Sequence, residues 1–206
     1  MSDAVAAIAA EDLEVRYHGG PQPAVQGVTF TLAPGDGLLV TGAAGSGKTS
    51  LLRGMLGMVE HRGDLRLLGA AAGDPAARRR IGYGPQGQGF AEGLRVGEAV
   101  GEALAARGAP RAAAGAALEA AGLQYVAGWR TRRLDAEGWR RLSLALAVAG
   151  DPDLIVLDDP WLLADALAVI AAARARGAAV LVCAERPAGL APALGRRMAL
   201  IDGRVR

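Results

Sequence analysis

An α/β fold with a mainly parallel central sheet is predicted by three features of this chain. The first is a pair of continuous apolar runs, Leu154-Ile155-Val156-Leu157 and residues 178–183, of the kind carried by parallel strands covered on both faces. The second is a short apolar run over 37–41 that leads into a glycine-rich loop and then into Leu51, Leu52, Met55 and Leu56 at helical spacing. The third is the alternation of strand and helix patterns along most of the sequence, which layers helices against a sheet.

The elements follow in order. Residues 13–17 and 28–32 alternate apolar and polar side chains, as strands with one wet face do, and predict an N-terminal antiparallel β subdomain. Pro34-Gly35-Asp36-Gly37 is a turn before the 37–41 strand. Residues 64–68 and 80–83 read as short strands. From about 96 to 149 the chain is mostly alanine-rich helix, broken at Gly108-Ala109-Pro110 and at Gly122, and predicts an inserted α-helical subdomain. A helix over 164–176 leads to the 178–183 strand, and a hairpin-like segment over 198–205 ends the pattern. With no internal repeat and no linker, the 206 residues are read as one domain, 1–206. Its core spans about 1–86 and 150–206, and its helical part about 87–149.

Composition excludes several classes. The chain is 51% hydrophobic but only 4% aromatic, and its net charge of +2 is too small an excess to argue for nucleic acid. Arg78-Arg79-Arg80 and the run from Arg130 to Arg133 read as solvated faces. A lone Cys183 excludes an internal disulfide and reads as a buried strand residue. No basic n-region precedes an apolar core, so no signal peptide is read. No stretch of about 18 apolar residues is free of charge or glycine, so no transmembrane helix is read. A soluble, cytoplasmic protein is expected unless a partner holds it on a membrane.

The chemistry begins at Gly42-Ala43-Ala44-Gly45-Ser46-Gly47-Lys48-Thr49, which has the spacing G-x-x-x-x-G-K-T, with Ser50 next in the helix. Backbone N–H groups of a glycine-rich turn at a helix N-terminus form an anion site. Lys48 would reach the β and γ phosphates of a nucleotide, and the Thr49 hydroxyl would ligate Mg²⁺. Residues 42–50 are therefore predicted to bind a nucleoside triphosphate. Asp158 ends the apolar run 154–157, at the strand end where α/β sheets bind ligands. It would hold Mg²⁺ through a water opposite Thr49. A strand-end Asp elsewhere is often only a helix cap, and the upstream loop is what favours the metal role.

At this point the chain resembles the ATPase domain of ABC transporters, a P-loop NTPase family, over nearly its whole length. Tyr17 stands where the family stacks an aromatic ring on adenine. Ile81-Gly82-Tyr83-Gly84-Pro85-Gln86 resembles the family's Q-loop, whose Gln contacts Mg²⁺ or the attacking water. Gly150-Asp151-Pro152-Asp153 and the strand to Asp158 match the family phrase before its metal-binding Asp, and Ile201-Asp202-Gly203-Arg204-Val205 resembles its terminal strand phrase. The resemblance implies ATP and Mg²⁺ as ligands, with Thr49, Gln86 and Asp158 around the metal.

The departures are as informative. Counted back from Asp158 by the family's spacing, the signature register falls on Leu134-Asp135-Ala136-Glu137-Gly138. In the family this segment covers the γ-phosphate held by the other subunit of a head-to-tail dimer, with a Ser and a Gly where Asp135 and Glu137 stand. Two carboxylates facing a triphosphate would make a poor clamp, so the segment is expected to survive as a helix N-terminus, where acidic residues are favourable. Asp159 stands where the family has its catalytic Glu, one methylene short of it. Glu185 stands where the family has a γ-phosphate-contacting His. Only Asp165 matches the family's dimer loop in Trp161-Leu162-Leu163-Ala164-Asp165, and neither His18 nor His61 could substitute for the missing His. Asp159, Gln86 and Glu185 are the candidate catalytic positions, with hydrolysis expected weak or partner-dependent.

The resemblance further implies two kinds of partner. One is a second ABC ATPase subunit, in a heterodimer in preference to a homodimer. The other is a set of transmembrane permease subunits, whose helix would dock near residues 86–94 with Phe90 as apolar contact. Such a chain would sit at the inner face of the cell membrane. A non-hydrolysing regulatory ATP-binding module and a non-transport ABC ATPase stay open as alternatives. A small-molecule kinase is disfavoured by the Gln86 segment and the 150–159 phrase.

Overall fold

The computed structural model describes residues 5–86, 91, 93–160, 163–187 and 189–206. The chain starts with β1 (Ile8–Val15) and β2 (Val25–Leu32), an antiparallel pair. β1 begins five residues earlier than the apolar alternation predicts and stops before Tyr17. Its early residues are alanines with weak strand propensity, and Asp12, at φ +50°, breaks the pairing register and so the alternation.

The turn before β3 (Gly37–Thr41) delivers an entirely buried strand to the loop 42–47. α1 (Lys48–Met55) follows, burying Leu51, Leu52 and Met55. Gly47 caps it at φ +102°, a backbone conformation that glycine alone adopts without strain. β4 (His61–Leu67) and β5 (Ala70–Ala71) return to the first sheet, which has the order β2-β1-β4-β5. α2 (Pro75–Arg78), capped by the Asp74 side chain, leads into β6 (Ile81–Gly84).

Among the described residues three α-helices come next, with short 3-10 turns between them: α3 (Val96–Ala106), α4 (Ala114–Ala120) and α5 (Ala136–Val148). They enclose an apolar cluster of their own that includes Val96, Val100, Leu104, Leu118, Trp139 and Leu142. β7 (Leu154–Asp158), α6 (Leu163–Ala175), β8 (Ala179–Ala184), α7 (Ala191–Leu194), β9 (Gly195–Ile201) and β10 (Arg204–Val205) complete the chain. The central sheet has the order β10-β9-β3-β8-β7-β6, parallel throughout except for β10. The expected terminal hairpin is thus β9 with β10, but β9 starts earlier and runs parallel beside β3.

One face of this sheet packs on α1 and the antiparallel sheet through Leu38, Val40, Leu154, Val156 and Leu181. The other packs on α6 and α7 through Leu39, Ile155, Leu157, Val180 and Val182. Alternate residues of one strand therefore enter different cores, which is why β3, β7 and β8 read as unbroken apolar runs. Cys183 is buried in β8, where burial pushes its thiol well up.

Candidate functional site

The strand ends and the loop 42–47 converge on a cleft of about 270 Å³. Its lining includes Gly45, Lys48, Thr49 and Ser50 from the loop and α1, with Gln86, Asp158, Asp159 and Glu185 from three other strand-end segments. Every one of these residues was singled out in the sequence, and the parallel order of β3, β8, β7 and β6 is what gathers them at one edge. At Gly42, a Cβ would run into the Leu200 carbonyl and the Ser46 hydroxyl, so only glycine lets the loop lie against β9.

Lys48 is the single lysine of the chain and is 9% exposed. Its Nζ donates to the carbonyls of Gly42 (2.8 Å) and Ala43 (2.9 Å), which spans the ammonium across the concave side of the loop. The Thr49 hydroxyl donates to Asp158 Oδ1 at 3.2 Å. Asp158 is buried at the end of β7, and its carboxyl is held above the ordinary range, chiefly by burial and further by Asp159; the Thr49 bond opposes the shift. A buried carboxylate next to a hydroxyl is a hard-oxygen donor set that suits Mg²⁺. Among the described residues no group of three or more His, Cys, Asp or Glu gathers as for a metal. Mg²⁺ needs fewer protein ligands when phosphates and water supply the rest.

Asp158→Asn tests this reading with two effects of opposite sign. The folded-state pKa is raised, so the folded chain binds more protons above the unfolded carboxylate value of about 4, and stability falls as pH rises through that interval. The amide keeps an oxygen for Thr49 and carries no charge. Thermal scans across pH should show the variant more stable at neutral pH and less pH-dependent, while its Mg²⁺-dependent nucleotide affinity drops. A destabilised variant at neutral pH would contradict the assignment.

The remaining candidates occupy distinct places. Tyr17 lies just past β1, 37% exposed, and its hydroxyl accepts a hydrogen bond from Ser50 Oγ at 3.3 Å. A bond to that same hydroxyl raises the Arg53 guanidinium above its ordinary value. Gln86 Nε2 donates to Asp159 Oδ2 at 3.0 Å, and the Glu185 backbone N–H donates to Asp159 Oδ1 at 3.2 Å. The Glu185 side chain is exposed at the cleft and, as an ionised acid, donates nothing to a phosphate.

Asp135 and Glu137 are turned to their own helix. Asp135 caps α5 by accepting from Gly138 N–H at 2.8 Å, and Glu137 pairs with Arg141 at 2.9 Å. The helix N-terminus expected from the sequence is present, and one of its N–H groups is already satisfied. In the Arg130 to Arg133 run the three arginines are exposed but not merely solvated, and Thr131 between them is fully buried: Arg130 donates to the Gly93 carbonyl, and the Arg133 guanidinium lies 4.9 Å from the Trp129 ring centre. Phe90, Trp161 and Leu162 lie outside the described residues.

The sequence reading missed a second concavity, a groove of about 320 Å³ lined by Met55, Leu56, Met58, Ile81, Tyr83 and Leu146 among others. The sequence signal available was Met55, Leu56 and Met58 clustered around Gly57; the structure shows Met58 exposed there.

Residues 25–162 match the family model described as ABC transporter. The chain belongs to the ABC transporter family. Among its relatives are the zinc import ATP-binding protein ZnuC of Paracoccus denitrificans, 34% identical over 74% of this chain and 57% of the relative, and the Nod factor export ATP-binding protein I of Paraburkholderia xenovorans, 34% identical over 71% and 51%. The chain thus spans about half the length of these ABC relatives. Solved structures share the fold. An ATP-binding subunit of an ABC transporter superposes with TM-score 0.83 at 22% identity, covering 96% of this chain and 87% of the other. The dimeric ATP-binding cassette MJ0796 bound to ADP and Pi superposes with TM-score 0.85 at 21% identity, covering 97% and 96%. Among the described residues no helix of this ABC family member is long and apolar enough to cross a membrane.

Proposed function

We propose that this chain is the ATP-binding subunit of an ABC transporter and the weakly hydrolysing half of a heterodimeric ATPase pair. It would power or gate transport through ATP-driven dimerisation on transmembrane subunits, at the inner face of the membrane. One observation carries the reading: within a single cleft, the phosphate loop with Thr49 and Asp158 keeps the family's pattern while Asp159 and Glu185 do not. Residues 42–50 would cradle the phosphates, and Tyr17 would cover the base. Thr49, Asp158 and Gln86 are the groups available to Mg²⁺, which when bound neutralises charge on the phosphates.

Hydrolysis needs a base at the attacking water. Asp159 is short for that task, and its two oxygens already accept from Gln86 and Glu185. Misplacing a catalytic group by about 1 Å costs on the order of 100-fold in rate. The Asp135 cap also leaves this chain a poor donor of signature contacts to a partner's site. The same engagement of Asp159 favours a second reading, a regulatory module that binds ATP and never turns it over.

The apolar groove between α1, β6 and the helices α3 and α5 suits an amphipathic helix of a transmembrane partner. ZnuC imports and the Nod factor protein exports, so neither direction nor substrate is carried over from the relatives.

Phosphate release by the purified chain, alone and mixed with its co-purifying ATPase, tests the proposal. The expected outcome is ATP binding by the chain alone with turnover about 100-fold below that of the mixture. Equal turnover by the chain alone would sink the heterodimer reading, and no turnover in either case, with ATP bound, would select the regulatory one.

A further inference from the structure

We propose that Asp159 is a positioning residue for Gln86: its carboxylate fixes which end of the Gln86 amide is presented to the Thr49–Asp158 metal position. This rests on the reading of the cleft as an ATP and Mg²⁺ site.

The argument starts from the backbone. Asp159 follows β7 at φ +52°, in the left-handed region that Asp tolerates better than most side chains. Its N–H donates to the Cys183 carbonyl at 2.7 Å, so the turn is tied to the end of β8. That turn brings the carboxylate between two segments from opposite sides of β7. Oδ1 accepts from the Glu185 N–H at 3.2 Å, and Oδ2 accepts from Gln86 Nε2 at 3.0 Å. The carboxylate is therefore held at three points, by its own backbone and by each oxygen.

An ionised carboxylate accepts hydrogen bonds and donates none. Whatever faces it from Gln86 must be the NH₂ group. The two ends of a side-chain amide are nearly isosteric, so its orientation is decided by partners alone. With Nε2 committed to Asp159, Oε1 is the end left for the cleft, and an amide oxygen is a ligand type that Mg²⁺ accepts. A Glu at 159 would be one methylene longer and would have to reach both partners through a different rotamer. The shortened acid, a defect as a base, reaches Gln86 at 3.0 Å.

ATP affinity measured with EDTA and with Mg²⁺ tests this, using the ratio of the two as the Mg²⁺ enhancement. In Asp159→Asn the new NH₂ group can donate to Gln86 Oε1, which turns Nε2 toward the cleft. The enhancement should fall about tenfold through weaker Mg²⁺-dependent binding, with metal-free ATP affinity no weaker than the parent's, because a carboxylate beside the phosphates is neutralised. Gln86→Ala should lose a similar factor, and the double variant should lose no more than either single one, because the two side chains act as one unit. An unchanged enhancement in Asp159→Asn, or losses that multiply in the double variant, overturns the proposal. Failure of the parent chain to bind ATP in EDTA and in Mg²⁺ alike overturns the nucleotide reading itself, and this inference with it.

Discussion

Lys48→Ala is expected to weaken ATP binding by at least about 100-fold. The ammonium lies across the loop, 2.8 Å from the Gly42 carbonyl and 2.9 Å from that of Ala43, where it can exchange carbonyl partners for phosphate oxygens without crossing the cleft. Hydrogen bonds to charged groups contribute about 1.5–3 kcal/mol each, and every 1.4 kcal/mol is a factor of ten, so two lost phosphate contacts reach that size. Calorimetric titration would measure it. Lys48 is also the only lysine in the sequence, so an amine-reactive reagent has one side-chain target. ATP should protect that target from labelling, as read by peptide mass spectrometry. Labelling of Lys48 that ATP leaves unchanged would be incompatible with the site.

Ile155→Ala should carry the largest cost in stability. Ile155 is fully buried in β7, pairs in register with Val180 of β8, and faces α6 and α7 with Leu39 and Leu157. Removing three carbons from such a site costs about 2–5 kcal/mol, because the transfer term and the cavity add. For a domain of this size each kcal/mol moves Tm by about 2–4 °C, so a fall of roughly 10 °C is expected in a thermal scan. Replacement of the exposed Arg132 by Gln is the control, expected within about 0.5 kcal/mol of the parent. A drop as small as the control's would mean that β7 is not the packed centre of the sheet.

What the sequence made legible was local. The loop from Gly42 to Thr49 is recognisable because its chemistry is set by consecutive residues, and Asp158 because an apolar run ends on it. Helix 163–175 and the buried strands follow from runs that a single strand or helix can explain. The missed features depend on residues far apart in the chain. Gln86 and Asp159 meet because β6 lies beside β7, a pairing that no local pattern records. The start of β1 was hidden by low-propensity alanines and by the Asp12 irregularity, and the parallel run of β9 beside β3 by its short glycine and arginine start. The roles of Asp135 and Glu137 needed a direction: the sequence placed both carboxylates near a helix start, and only the structure shows them bonded to Gly138 and Arg141.

α5 contributes to two apolar clusters at once. Leu144 and Ala147 lie in the cluster under the central sheet, whereas Trp139, Leu142, Ala145 and Leu146 lie in the helical one. A wall common to two rooms cannot be taken down for one of them only. Melting the helical cluster strips cover from Ile155 and Leu157, and melting the sheet cluster leaves α5 with half its apolar surface wet. The helices 96–148 and the sheet should therefore lose structure together, as one cooperative unit with a single heat-absorption peak, although their side chains pack into separate clusters.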